Sequence, residues 1–432
     1  MLRGFLRLLS PNSAVPGARH AFPRRTLARA SAVSVALSSL ALVPLAPANA
    51  ADCVPVTTTE TVAGVSYTIA AFKTVGTCSW TVPTGVTSGD VLVVGGGGGG
   101  SGNYTGDLGS SGGSGGAGGV LPVTNLALPS TVSITVGQGG SGGAPRATRS
   151  GAVGSQGGDS FFGAISAGGG GAGGCDANAT NGTACGSSSQ IHGRPGTASG
   201  SGGSPSNFYN AYNFGSAGAA SSAVFNGQTI SAVPGFRGGY YNDGGSSVSY
   251  TSGSGGGAAS AGNRSSPGAG ISSSITGTSV SYGIGGSSYD SANYLVAPEA
   301  NTGSGGNGAY NPSAASNGMA GSDGIVVVRY ATPVPATVQN FSAATRLVDA
   351  DSATDSVTLS WDALTGQTPA VTSYEIEYST ASNYASSTTQ TVAVTNSAAA
   401  TPNTATISGL TDGATYYFRI KARNTVGDSA SY

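Results

Sequence analysis

Chemically active side chains are scarce in this chain. Of its 432 residues 8% are Asp, Glu, Lys or Arg, with two histidines, two tryptophans and two methionines. Residues 89–330 contain no lysine. That excludes a Walker-type phosphate loop, whose lysine must reach the β- and γ-phosphates. Gly-x-Gly-x-x-Gly spacings recur there, as the composition dictates. None follows a strand and opens a helix with an acidic residue beyond, so dinucleotide binding is excluded. His192 is the only histidine after residue 50, and it reads as a solvated loop residue rather than a triad base. The carboxylates Asp90, Asp107, Asp159, Asp176, Asp243, Asp290, Glu299 and Asp323 are scattered. Glycoside hydrolysis needs two carboxylates flanking a groove, whereas Asp90 and Asp323 read as turn residues. No catalytic residue, cofactor or metal site is expected.

The first fifty residues read as an export signal. Arg3, Arg7, Arg19, Arg24, Arg25 and Arg29 form a basic start without acids, Ala30 to Ala46 is apolar, and Ala48-Asn49-Ala50 suits cleavage after Ala50. The apolar run is short for a membrane span, which takes about 20 residues. Arg24-Arg25 leaves twin-arginine export open beside the general route. Cleavage leaves 11 basic against 18 acidic residues, a net charge of −7. A mildly acidic chain lacks the footprint of a nucleic-acid binder, and Arg237-Gly238-Gly239 is a solitary arginine-glycine element. The four cysteines, Cys53, Cys78, Cys175 and Cys185, all fall in the exported part. An even count there points to disulfides. Three pairings are open, nearest neighbours being the simplest. The spacing does not suit zinc.

What the chain has in quantity is glycine. Between Val91 and Tyr330 lie 64 of its 74 glycines, and the block is bracketed by apolar runs. It opens with Asp90-Val91-Leu92-Val93-Val94 before Gly95 to Gly100, and closes with Gly324-Ile325-Val326-Val327-Val328-Arg329-Tyr330. A flexible spacer has no use for matched strands, which need partners for their backbone groups. The organisation read from composition is a signal (1–50), leading strands (51–88), a glycine-rich domain (89–330), a Pro-containing linker (331–335) and a glycine-poor module (336–432). No fixed repeat is legible inside the block. Gly, Ser and Pro together exceed the roughly 25–30% that marks low complexity. A disordered spacer is therefore one reading. Order is the other, since glycine stretches can form threefold extended helices that bond laterally.

Cys78-Ser79-Trp80-Thr81-Val82-Pro83-Thr84-Gly85-Val86, the run after Asp90 and the closing Gly321-Ser322-Asp323-Gly324-Ile325-Val326-Val327-Val328-Arg329-Tyr330 resemble the glycine-rich domain of bacterial secreted and surface proteins. More distantly the block is similar to the glycine-rich region of anaplastic lymphoma kinase receptors and to polyglycine tips of phage tail-fibre adhesins. The resemblance covers about residues 78–330. It implies a β-sandwich scaffold with inserted polyglycine II-type helices. Trp80 itself reads as a structural residue.

In the C-terminal module the alternating runs Ser356-Val357-Thr358-Leu359-Ser360-Trp361 and Ser373-Tyr374-Glu375-Ile376-Glu377-Tyr378, with the corner from Leu410 to Tyr416, resemble a fibronectin type III domain. Val357, Leu359 and Trp361 share one face of an alternating strand, as do Tyr374, Ile376 and Tyr378. Leu410-Thr411-Asp412-Gly413-Ala414-Thr415-Tyr416 matches a tyrosine corner. Tyr416, Phe418, Ile420 and Ala422 follow on the core face of the next strand. Arg-Gly-Asp is absent, so integrin-type binding has no support. The module is expected to be truncated at its last strand. The fold class expected for the whole chain is all-β.

One aromatic and amide-rich set stands out: Phe208, Tyr209, Tyr212, Phe214, Phe236, Arg237, Tyr240 and Tyr241. Such residues are either the sparse core of a glycine domain or a ligand face on which rings cover sugars while amides bond hydroxyls. The functional expectation is a secreted or cell-surface, non-enzymatic protein. It would bind an extracellular polysaccharide or a surface protein through the glycine module, with the second module as spacer. An accessory region of a polysaccharide-degrading glycoside hydrolase, its catalytic domain lying elsewhere, is the other reading. No membrane span is expected in the exported chain, and the sequence leaves the oligomeric state open.

Overall fold

The computed structural model describes residues 52–103, 111–145, 152–174, 196, 199–204, 216–219, 222–239, 252–263, 266–287, 297–309, 316–347, 354–394, 402–430 and 432. The protein is all-β. The glycine-rich part contains β1 Val56–Val62, β2 Val65–Phe72, β3 Gly76–Thr81, β4 Ser88–Val94, β5 Val120–Ala127, β6 Thr131–Val136, β7 Ser160–Phe162 and β8 Ile165–Ala167. It continues with β9 Ser222–Phe225, β10 Gln228–Ser231, β11 Ile271–Ser273, β12 Val280–Tyr282 and β13 Ile325–Ala331. A five-stranded sheet, β1-β2-β13-β4-β5, packs on a four-stranded sheet, β3-β6-β7-β8.

The two apolar runs that bracket the glycine block are neighbours in the larger sheet. β4 and β13 pair antiparallel, with Val94 opposite Ile325 and Val91 opposite Val328. β2 flanks β13 on its other side, so β1 and β2 belong to the same sheet as the block's closing strand, while β3 joins the four-stranded sheet. Val91, Val93, Val326 and Val328 face the second sheet, where they meet Trp80, Ile134, Phe162 and Ile165. Leu92, Val94, Ile325 and Val327 face the other way, under Ile275 and Tyr282 of the β11–β12 region. Burial on both faces explains why these strands read as unbroken apolar runs. Trp80 lies edge-on to Phe72 at 5.4 Å between ring centroids. The β9–β10 hairpin turns at Asn226-Gly227, whose φ values of 47° and 80° suit a type I′ turn.

Beyond the strand ends the glycine runs bond to one another side by side. Gly95 to Asn103, which continues β4, donates to three neighbours in rotation. Gly95, Gly98 and Ser101 donate to Gly119, Gly116 and Gly113. Gly96, Gly99 and Gly102 donate to Gly158, Ser155 and Ala152, while Gly97, Gly100 and Asn103 donate to Ser322, Met319 and Ser316. The carbonyls accept in the same rotation, Gly96 and Gly99 from Gly170 and Gly173, Gly97 and Gly100 from Gly140 and Gly143, and Gly98 and Ser101 from Gly306 and Ala309. Six segments thus surround one. Those that accept from it run antiparallel, and those that donate to it run parallel.

This corrects the expectation that the block has no fixed repeat. The period is three residues, and it is written in which positions carry side chains. A Cβ on Gly98 would lie 2.1 Å from the carbonyl oxygen of Gly171, and one on Gly97 would lie 2.0 Å from that of Ser304. The central run is therefore glycine at every position from 95 to 100. Its neighbour, residues 111–119, is glycine at two positions in three, with Ser111, Ser114 and Ala117 on the third. At the margin, residues 316–324 keep only Gly318, Gly321 and Gly324, and Asn317 and Ala320 are exposed. Glycine density along each segment follows how many sides of it are covered.

The C-terminal module contains β14 Ser342–Leu347, β15 Thr354–Trp361, β16 Ser373–Ser379, β17 Thr388–Ala393, β18 Asn403–Thr411 and β19 Tyr417–Arg423. They form two three-stranded sheets, β14-β15-β18 and β17-β16-β19. Leu359, Trp361, Tyr374, Ile376, Leu410, Ile420 and Ala422 are buried in one core. Trp361 and Tyr374 meet edge-on at 5.2 Å. The corner forms as expected, the Thr411 N–H donating to the Tyr416 hydroxyl at 3.1 Å. Tyr378, Tyr416 and Phe418, expected inside, are half-buried at the rim of this core.

Cys53 and Cys78 form a disulfide across 25 residues. Cys175 and Cys185 lie outside the described residues. Replacing Cys53 and Cys78 together by Ala should lower unfolding stability by about 2–4 kcal/mol, read by denaturant titration. Gly98→Ala should destabilise the glycine module by at least about 1–3 kcal/mol through overpacking. Gln138→Ala, on an exposed position of a neighbouring segment, should stay within about 0.5 kcal/mol. Equal effects of these two in thermal unfolding would contradict the close-approach account.

Candidate functional site

The array has two chemically different ends. At its root the segments emerge from the sheets, and carboxylates and hydroxyls cap the first peptide groups. Gly169 donates to Asp159 Oδ1 at 2.8 Å, Gly139 to Asp323 Oδ1 at 2.7 Å and Gly137 to Ser160 Oγ at 2.9 Å. Asp90 accepts from the Asn125 N–H at 3.0 Å and pairs with Arg329 at 3.1 Å. Arg329 also reaches Glu60 at 3.2 Å and lies over the Tyr67 ring. These carboxylates hold backbone and an arginine.

At the far end, the described residues just before or after seven chain connections lie side by side. Asn103 donates to Ser316, Gly113 to Gly174 and Gly174 to Ser204. Gly102 donates to Ala152, Gly239 to Ser254, and the Ser287 N–H to Asn307 Oδ1 at 2.8 Å. This end is polar. Ser114 Oγ donates to the Ser287 carbonyl at 2.6 Å and accepts from the Gly308 N–H at 3.3 Å. Asn103 Oδ1 accepts from the Ser316 N–H at 2.6 Å. A layer of buried amides and hydroxyls thus replaces the valines that close the root.

Most of the expected ligand set falls in sequence between described residues of this end. Phe208, Tyr209, Tyr212, Phe214, Tyr240 and Tyr241 lie outside the described residues, as does His192. Phe236 and Arg237 are described. Phe236 is half-buried, its N–H donating to Ser201 Oγ at 3.0 Å and its carbonyl accepting from Gly202. Arg237 is exposed, and its carbonyl accepts from Gly262. Their backbone is part of the array while their side chains sit towards its surface.

A second feature went unread in the sequence. On the outer face of β16 and β19, acids on one strand oppose bases on the other: Glu375 opposite Lys421 and Glu377 opposite Arg419. The signal was present in the polar positions of the alternation, which the core reading passes over. The Arg419 guanidinium lies between the Tyr384 and Tyr432 rings, 4.1 and 3.9 Å from their centroids. It donates to Glu377 at 2.7 Å. The Ser387 hydroxyl, then Tyr432 and Arg419, hold the Glu377 carboxyl down at about 2, and Arg423 with Lys421 does the same for Asp428, also about 2.

Two β-sandwiches, the first carrying an array of bonded glycine segments, define a modular all-β protein. The chain belongs to the glycine-rich domain family, whose model matches residues 73–331. Residues 342–432 match the fibronectin type III domain, a module common in extracellular and binding proteins. A comparison with curated proteins finds no match. No helix among the described residues is long and apolar enough to cross a membrane.

Glu377 and Asp428 have pKa values lowered by folding, so their contribution is fully present above the ordinary carboxylate range and lost as pH falls towards 2. The melting temperature of the C-terminal module should hold from pH 7 to about 5 and fall below about 4. Glu377→Gln should flatten that fall in a calorimetric pH series, and an unchanged slope would contradict this assignment.

Proposed function

We propose that this is an exported, non-enzymatic protein that binds an extracellular polysaccharide or surface protein through the far end of its glycine-rich module. The fibronectin type III module serves as spacer. We further infer that the glycine segments are threefold extended helices of the polyglycine II type. The rotation of hydrogen bonds through three neighbours in successive residues supports that reading. It also favours an ordered module over a spacer.

The observation that carries the binding proposal is the convergence of chain connections at one polar end of the array. By sequence those connections carry Tyr104, Tyr209, Tyr212, Tyr240, Tyr241, Tyr289 and Tyr310, with many asparagines. Rings and amides suit sugars and protein surfaces. Loops on a rigid scaffold are where binding residues concentrate. Export is supported by the Cys53–Cys78 disulfide, which suits an oxidising compartment.

The test is a binding screen of the exported chain against cell-surface polysaccharides and surface proteins. Tyr209→Ser with Tyr240→Ser should weaken capture at least tenfold while leaving the thermal unfolding profile unchanged. Capture that survives both changes, or a chain that hydrolyses the polysaccharide, would overturn the proposal.

A further inference from the structure

The five-stranded sheet has two edges, and among the described residues only one of them is closed. Along β5 the side chains of the β9–β10 turn stand in for a further strand. Gln228 Oε1 accepts from the Ala127 N–H at 2.8 Å, Gln228 Nε2 donates to the Asn125 carbonyl at 3.4 Å, and Asn226 Nδ2 donates to the Ala127 carbonyl at 3.2 Å. At the opposite edge β1 has no such cover among the described residues. Thr57, Thr58, Thr59 and Thr61 are exposed. The strand keeps an unbroken seven-residue register and contains no proline, lysine or bulge, the devices that usually blunt an edge.

The direction of its free backbone groups follows from the hairpin. Ala63 and Gly64, with φ of 48° and 82°, make a two-residue turn, so Val62 and Val65 are the hydrogen-bonded pair that closes it. The Ser66 carbonyl accordingly points away from β1, accepting from Thr332 at 2.9 Å. Counting back by twos, Thr57, Thr59 and Thr61 direct N–H and C=O outward from the sheet.

We propose that this edge pairs antiparallel with the same edge of a second copy, about a two-fold axis at Thr59. The sequence Val56-Thr57-Thr58-Thr59-Glu60-Thr61-Val62 is nearly palindromic about that residue. In this register Val56 meets the partner's Val62, Thr57 meets the partner's Thr61, and Thr58 meets the partner's Glu60. The outward residues pair only with outward residues, and no like charges meet. Val56 and Val62, 56% and 47% exposed in the single chain, cover one another. The contact is isologous and closes at two copies. A one-residue slip would set outward groups against inward ones, so the register is specified.

Sedimentation equilibrium of the protein recovered from full-length expression, over a concentration series, should fit a monomer–dimer equilibrium. Thr59→Pro should weaken the dimer at least tenfold without disturbing the fold, because its lost N–H faces outward and proline is tolerated on such an edge. Thr59→Cys should cross-link to itself on mild oxidation, since the two Cα atoms lie opposite at disulfide distance. Thr57→Cys alone should not, as its opposite number is the partner's Thr61. A monomer at all concentrations, a larger assembly, an undiminished Thr59→Pro dimer with its circular dichroism retained, or equal cross-linking of both cysteine variants would each overturn the proposal.

Discussion

Peptide groups that approach one another too closely for a Cβ are the constraint on which the glycine-rich module depends. Glycine loses more conformational entropy on ordering than any other residue, roughly 0.5–1 kcal/mol relative to alanine within regular structure. The array offsets that loss by bonding backbone groups in the interior, where an unpaired one would cost about 1–3 kcal/mol. From Gly95 to Asn103 each N–H has a backbone acceptor. A core is thereby built with almost no side chains, and its cohesion is polar and directional instead of apolar.

The central run from Gly95 to Gly100 cannot set its own register, because consecutive glycines are interchangeable. The sandwich supplies it. β4, β6 and β8 run directly into segments and β13 continues directly from one, so the pairing of the strands fixes which peptide groups meet beyond them. The valines of β4 and β13, buried on both faces, make that root rigid. Ser160, Asp159 and Asp323 tie down the peptide groups at the transition, where sheet bonding ends and threefold bonding begins.

The arrangement separates roles along the chain. Apolar packing fixes the root, backbone bonding carries the body, and polar side chains gather at the far end. The fibronectin type III module is stabilised differently, by Trp361 and Tyr374 in a conventional core and by an acid–base ladder on its outer face. Asn424 of that module donates to the Pro333 carbonyl of the linker.

The sequence by itself determined the all-β class, the strands that bracket the block and the corner at Tyr416, because alternation and apolar runs are local signals of burial. The Asn226-Gly227 turn and the triplet spacing of Ser111, Ser114 and Ala117 were legible as well but went unread: each triplet run is short, and the residues between its side chains are uniform. Only the tertiary structure decided that Val94 stands opposite Ile325, which segments surround Gly95 to Gly100, and that β1 is an edge strand of its sheet. Those facts depend on pairing between residues far apart in the chain. Glycine, having no side chain, carries no mark of its partner.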